Sequence, residues 1–285
     1  MKASRRRFLS GLAAASAIGA IQSARAGESE WLIGTTPVFL DDHVSLLNDW
    51  GSYLSSRMTM AIRFVHRRSY RDITELLLEG RVDCAWVCGA PYVQHRDRLR
   101  LLAVPLFEGR PLYRSYIIVK QSSAMKLLAD VRGRTFAYSD PDSNSGHNVP
   151  RHRIRQLGYE PREFLGRTFF TYGHPRVIEA VATGLADAGA VDGYIWETLR
   201  LRSPALVAKT RVIDRSELYG FPPIVTPGNA NVALADRFRA ILLSMNGDAA
   251  GRALLDRLNL TGFSREKDSL FDGVASVIRE VNALA

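Results

Sequence analysis

A segment that recurs 104 residues further along constrains this chain more than any other feature. Gly80-Arg81-Val82-Asp83-Cys84-Ala85-Trp86-Val87 lies opposite Gly184-Leu185-Ala186-Asp187-Ala188-Gly189-Ala190-Val191, with glycine, aspartate and valine in register. A helical pattern precedes each copy and a turn follows it. Two copies at so long a period cannot stack as a solenoid, so they predict two similar lobes.

The pattern around each copy gives the lobe its class. Trp31 to Thr36 reads as a strand closed by Pro37. Asp41 or Asp42 can cap a helix with Leu47, Trp50, Leu54 and Met58 on one face, at steps of three and four. Ile62 to Val65 reads as a second strand. Ser69-Tyr70-Arg71-Asp72 resembles a capping box before a stripe of Ile73, Leu76 and Leu77 that stops at Gly80. Val82 to Val87 then reads as a buried strand. The second half repeats this order: a strand over Arg134–Ser139, a polar turn from Asp140 to Gly146 leading into a helix, and a strand over Thr168–Thr171. A helix with Pro175 in its first turn follows, then a strand over Ala186–Val191. Strands alternating with helices predict α/β lobes with mixed, mostly parallel sheets.

Two extended stretches, Tyr113–Val119 and Tyr219–Val225, read as crossovers between the lobes. They predict lobe one over residues 27–114 plus 226–285, and lobe two inserted over 115–225. A pair of crossing strands makes a hinge. Helices around Phe238–Met245 and Phe271–Val281 are expected to pack back on lobe one.

Charge says little about partners until the first segment is set apart. The chain has 38 Lys plus Arg against 29 Asp plus Glu, a formal +9. Residues 1–26 hold five of those cations and none of the acids, leaving +4 on the remainder, too little to argue for nucleic acid. Ser4-Arg5-Arg6-Arg7-Phe8-Leu9 is a twin-arginine pattern, followed by an apolar stretch to Ile21 and by Ala24-Arg25-Ala26. This order of basic, apolar and small-residue regions predicts export to the periplasm, with Gly27 as the mature start. No apolar run reaches the 18 or so residues of a spanning helix, so the mature protein is expected off the membrane, as a monomer.

In open parallel sheets, ligands sit beyond the carboxyl ends of the strands. Those ends nominate Thr35, the turn from Cys88 to Tyr92, Ser143-Asn144-Ser145-Gly146, and Asp192. Hydroxyls and free amides at a helix start make an anion site without any lysine. Cys88 and Asp192 are 104 residues apart, which puts them at equivalent strand ends facing one cleft. Cys84 and Cys88 lie roughly 13 Å apart along an extended chain, too far for a disulfide. His174, just before Pro175, stands where it can donate to an anion. The other histidines have no metal-ligand spacing with the cysteines, so no metal and no cofactor is assigned. GxSxG, HExxH and Walker patterns are absent from the sequence, and a Cys88–His174 pair lacks an orienting third member. The chain is therefore read as a binder, with an exported cysteine-dependent enzyme as the remote alternative.

Four segments resemble the periplasmic phosphonate-, phosphite- and phosphate-binding proteins (PhnD-type) of the type II periplasmic binding group. They are Gly34-Thr35-Thr36-Pro37, then GRVDCAWVCGAPY from Gly80, LADVRGRTFAYSDPDSNSGHNVP from Leu128, and FFTYGHPRVIEAVATGLADAGAVD from Phe169. The resemblance implies a two-lobed binder with a two-strand hinge that captures a small oxyanion for an ABC permease. It maps ligand contacts onto Ser143, Asn144, Ser145, His174 and Asp192, with Tyr116 near an aromatic hinge position. Asn144 departs from the threonine common in the family, and Cys88 stands where many transport members have no thiol. A related branch senses arsenite through a cysteine and signals to a membrane histidine kinase, which is the second functional reading.

Overall fold

The computed structural model describes residues 30–36 and 44–283. The export pattern, Pro37 and the Asp41/Asp42 cap lie outside them. The first lobe opens as β1 (Trp31–Thr35), α1 (Val44–Met58), β2 (Ile62–His66), α2 (Tyr70–Leu78), β3 (Cys84–Trp86) and α3 (Gly89–Gln94). β4 (Leu99–Leu106) and β5 (Leu112–Tyr113) follow, and the chain crosses into β6 (Ser115–Lys120). The second lobe then runs β7 (Phe136–Tyr138), α4 (Val149–Gln156), α5 (Pro161–Phe164), β8 (Thr168–Phe170), α6 (His174–Thr183), β9 (Ala188–Asp192), α7 (Gly193–Arg202), α8 (Pro204–Val207) and β10 (Thr210–Arg215). The return passes through β11 (Tyr219–Gly220) to β12 (Ile224–Pro227), α9 (Val232–Ser244), α10 (Ala249–Leu258), β13 (Gly262–Ser264) and α11 (Asp272–Asn282).

Among the described residues, sheet one has the order β13-β4-β12-β3-β1-β2 and sheet two the order β10-β6-β9-β7-β8. In sheet one β1 lies between β2 and β3, all parallel, and β12 runs antiparallel beside β3. In sheet two β7 lies between β8 and β9, all parallel, and β6 runs antiparallel beside β9. The duplication thus extends over the whole β-α-β-α-β-α unit, of which the aligned octapeptides are one part. Each lobe borrows its antiparallel strand from across the connection. Between the sheets, β5 and β11 pair antiparallel as a two-stranded ladder.

Local chemistry explains the elements that hold the cleft. Ser69 accepts from the Asp72 amide at 3.1 Å and starts α2. Gly184 ends α6 at φ 83°, a left-handed position that favours glycine. Trp50, Trp86 and Phe263 pack together in the core of sheet one, while Phe136, Tyr138 and Phe164 are buried beneath sheet two. Each such side chain contributes about 1.5–3 kcal/mol by leaving water.

Two expected elements differ in detail. Each crossover stretch is split rather than continuous, because the hinge ladder takes two residues from each before the next strand begins. The helix after the polar turn opens as a wide π turn over Asn144–Asn148 before α4. Pro150 has no amide to donate to the carbonyls behind it, so the regular ladder cannot start there. The Ser145 carbonyl instead accepts from Ser115 Oγ at 2.6 Å, and the Gly146 carbonyl from the Ser139 amide at 3.2 Å.

Candidate functional site: a cage of neutral donors between the sheets

Helix beginnings from both lobes converge where the strands end. α2 starts at Tyr70 and α6 at His174, positions 104 apart, and the two side chains meet with Tyr70 Oη 3.1 Å from His174 Nε2. α3 and α7 start after Cys88 and Asp192, again equivalent positions. Asp192 caps its own helix by accepting from the Tyr194 amide at 2.8 Å. Cys88 makes no such cap; its Sγ accepts from the Asn144 amide at 3.3 Å, a contact between lobes. Ser143 caps the π turn, with Oγ accepting from the Gly146 amide at 2.9 Å. The positive dipole ends of these helices therefore face one region, although the amides of Asn144, Gly146, Asp192 and Tyr194 are already engaged within the protein.

The hydrogen bonds fix the direction in which the phenols donate. His174 Nδ1 lies 3.1 Å from the Asp192 amide and accepts from it, so the ring proton is on Nε2 and donates to Tyr70 Oη. Tyr70 can then turn its own proton elsewhere. Asn144 Nδ2 donates to Tyr113 Oη at 3.1 Å, which leaves the Tyr113 proton in the same position. Burial holds all these groups neutral or nearly so. It pushes His174 down to about 3 and Cys88 up to about 11, and raises the phenols of Tyr70 and Tyr113 well above their usual value. Asp192 rises to about 7 through burial, although the amides of Tyr194 and Ile195 oppose the shift.

Among the described residues, three buried polar atoms in this region lack a well-formed hydrogen bond, Ser139 Oγ, Asn144 Oδ1 and Ser145 Oγ, the last lying close to the Tyr113 phenol. Gly146 leaves the room that Ser139 and His174 occupy. A Cβ there would stand 1.8 Å from Ser139 Oγ and 3.1 Å from His174 Cε1, so only glycine fits. Leaving buried hydroxyls unpaired costs about 1–3 kcal/mol each, which is tolerated where a ligand supplies the partner. Two hydroxyl and two phenol donors can hold the oxygens of a small tetrahedral oxyanion, and the amide oxygen can accept from a ligand oxygen that keeps its proton.

The residues expected from the sequence divide into two groups. Cys88, Ser143, Asn144, Ser145, His174 and Asp192 are gathered around this space. Thr35 is buried, but its Oγ1 stands 3.5 Å from His66 Nδ1 on the neighbouring strand. Tyr92 is turned away: its hydroxyl donates to Asp268 Oδ1 at 2.5 Å and its ring meets Phe271 edge-on at 4.9 Å. Tyr116 faces the other side of sheet two, its hydroxyl 3.4 Å from Glu197 and Arg215 over its ring at 4.9 Å. Its neighbour Ser115 faces the cleft, as strand alternation requires. Both cysteines are free and buried, and Cys84 sits in the core accepting from Trp31 Nε1 at 3.3 Å.

Sequence reasoning missed Tyr70, Tyr113 and Ser139. Tyr70 was within reach, since it lies one repeat before His174. Ser139 is the last residue of the strand-end stretch, one position before the turn that drew attention. Tyr113 carries no local signal, because only the pairing of β5 with β11 carries it to the cleft.

Known proteins resemble this chain in sequence and in fold. Residues 33–271 match the family model described as the periplasmic substrate-binding protein of a phosphonate ABC transporter. The phosphonates-binding periplasmic protein of Escherichia coli K12 is 23% identical, over 87% of this chain and 76% of its own. Among solved structures, a binding protein component of an ABC phosphonate transporter from Pseudomonas aeruginosa superposes with a TM-score of 0.83, at 20% identity, covering 90% of this chain and 87% of that one. A Prochlorococcus marinus protein in complex with methylphosphonate gives 0.81, at 18% identity, covering 89% of this chain and 98% of that one. At these identities the superpositions establish the two-lobed fold.

Proposed function

Because the chain belongs to the family of periplasmic substrate-binding proteins of phosphonate ABC transporters, we propose that it captures a small phosphorus oxyanion between its lobes and presents it to an ABC permease. The observation that carries this reading is the set of buried groups without a well-formed hydrogen bond, Ser139 Oγ, Asn144 Oδ1 and Ser145 Oγ, beside two phenols free to donate. The hydrogen bonds among the described site residues come from amides and an imidazole rather than from cations, and the two phenols accept. In a site closed to water, such neutral donors hold a monoanion without a counter-charge.

Asp192 and Asn144 Oδ1 supply the acceptors. A ligand oxygen that keeps a proton can donate to them, whereas a fully ionised dianion meets a partly ionised carboxylate. Phosphite, phosphonate and phosphate monoanions satisfy this arrangement; sulfate, with no proton at neutral pH, does not. The lobes on this reading part at the β5–β11 ladder, with residues 115 onward in the second lobe and the return to the first made before β12, two residues earlier than the expected 225/226 boundary. The twin-arginine pattern would deliver the protein to the periplasm. Among the described residues no helix is long and apolar enough to cross a membrane. The family match favours an importer component over a kinase-coupled sensor, and over an enzyme.

Calorimetry with methylphosphonate, phosphite, phosphate and sulfate tests the proposal, using two serine variants. Ser145→Ala removes a hydroxyl that caps no element and makes no well-formed hydrogen bond, so affinity should fall roughly tenfold, about 1.4 kcal/mol, with a nearly unchanged ligand-free melting temperature. Ser143→Ala removes the cap of the π turn and should lower ligand-free stability by about 1 kcal/mol. Sulfate bound as tightly as phosphite, or a Ser145→Ala variant with full affinity, would sink the reading.

A further inference from the structure

The last turns of α10 and α11 are held by arginines that come from the other lobe. α10 packs on α1 and α11 on α3, both helices of the sheet-one side. The carbonyls of Asp256 and Arg257, at the end of α10, accept from Arg202 Nη2 at 3.2 and 2.5 Å. The next carbonyl, that of Leu258, accepts from the Tyr194 hydroxyl, and Asn259 Nδ2 donates to Thr198 Oγ1 at 2.9 Å. Tyr194, Thr198 and Arg202 recur every fourth residue, so they form one stripe of α7 aimed at this helix end. At the end of α11, the carbonyls of Glu280 and Val281 accept from Arg155 Nη1 of α4 at 2.6 and 2.8 Å. The Glu280 carboxylate also stands 3.1 Å from His152 Nδ1, one turn earlier on α4.

A helix C-terminus leaves its final carbonyls unsatisfied and carries partial negative charge, so a guanidinium is well suited to it. Here the same device occurs twice, each time crossing from a sheet-two helix to a sheet-one helix. Cleft opening that moves α4 and α7 away from α11 and α10 must expose these carbonyls.

We propose that Arg155 and Arg202 are affinity-setting clasps: they touch no ligand, but hold the lobes closed and so set how much binding energy closure consumes. This rests on the reading of the protein as a binder that closes on its ligand. The apparent dissociation constant equals the intrinsic one divided by the closed fraction, so losing a clasp weakens binding from outside the site. Arg155, with a side chain only 12% exposed, is the stronger of the two; Arg202 lies at the surface.

Small-angle scattering of ligand-free protein tests the clasps without any ligand. The Arg155→Ala/Arg202→Ala double variant should have a larger radius of gyration than ligand-free wild type. With saturating methylphosphonate the two should become equal. Stopped-flow dissociation of methylphosphonate should be roughly tenfold faster in the double variant with association little changed, and Arg155→Lys should recover part of the loss. An unchanged ligand-free radius in the folded double variant overturns the proposal, as does an unchanged dissociation rate. Should the double variant fail to fold, surface-lying Arg202→Ala carries the same comparison. If wild type binds no methylphosphonate, the ligand assignment fails, while the ligand-free radii still decide the clasps.

Discussion

Asp192 and His174 are both buried, and burial acts on them with opposite sign. Asp192 stands at about 7 when folded against roughly 3.9 in an unfolded chain, so the folded state holds an extra proton between those values. Its contribution is complete below about pH 4 and lost as pH rises through about 7. His174 stands at about 3 when folded against roughly 6.5 unfolded, so the folded state holds one proton fewer there. Its contribution is complete above about pH 6.5 and lost as pH falls through about 3. Between pH 4 and 6.5 the two slopes oppose each other. Asp192→Asn keeps the helix cap, and relative to wild type its melting temperature should climb with pH across that window. His174→Gln should do the reverse and fall. Variants whose curves run parallel to wild type would show that neither group titrates as its burial requires. Residue types and their places at strand ends were legible in the sequence for both. Their protonation was not, because it depends on what the other lobe lays over them.

At the scale of elements, delivery of His174 depends on how closely α6 lies on sheet two. Gly189 in β9 permits that approach: a Cβ there would stand 2.5 Å from Val177 Cγ1 and 3.0 Å from the Ala137 carbonyl oxygen. Gly189→Ala should therefore lift α6, costing about 1–3 kcal/mol of stability by overpacking. It should also weaken ligand binding, since His174 heads the same helix and orients Tyr70. A variant that loses stability but binds with wild-type affinity would show that the helix start is positioned independently of its body. Strand and helix periodicities announced these elements, and the repeat gave their order. The π turn was not announced, because it follows from Pro150 and from the distant Ser115 and Ser139 that take over its carbonyls. Tyr92 and Tyr116 find other partners for a related reason. Position near a strand end says nothing about which face a side chain takes or whether Asp268 or Glu197 engages it first.

On the scale of the whole molecule, Cys88 reports on the closure of the lobes. Its sulfur is buried against the Asn144 amide of the opposite lobe and kept as a thiol by burial. Alkylation requires the lobes to part, so labelling should be slow and should slow further with saturating methylphosphonate. Mass spectrometry can separate it from Cys84, which is locked in the core and should not label in either state. Ligand that leaves the Cys88 rate unchanged would mean that closure does not gate this face. The sequence alone determined the two-lobe α/β plan, through a repeat that needed only hydrophobic periodicity and chain order, and it marked the capped turn at Ser143–Ser145 because helix starts are written locally in capping residues. Tertiary structure alone decided that Tyr113 reaches the cleft through the hinge ladder, and that two arginines cross to distant helix ends. Those contacts join residues whose meeting is fixed by the packing of one lobe against the other, and no local pattern in the chain records that relation.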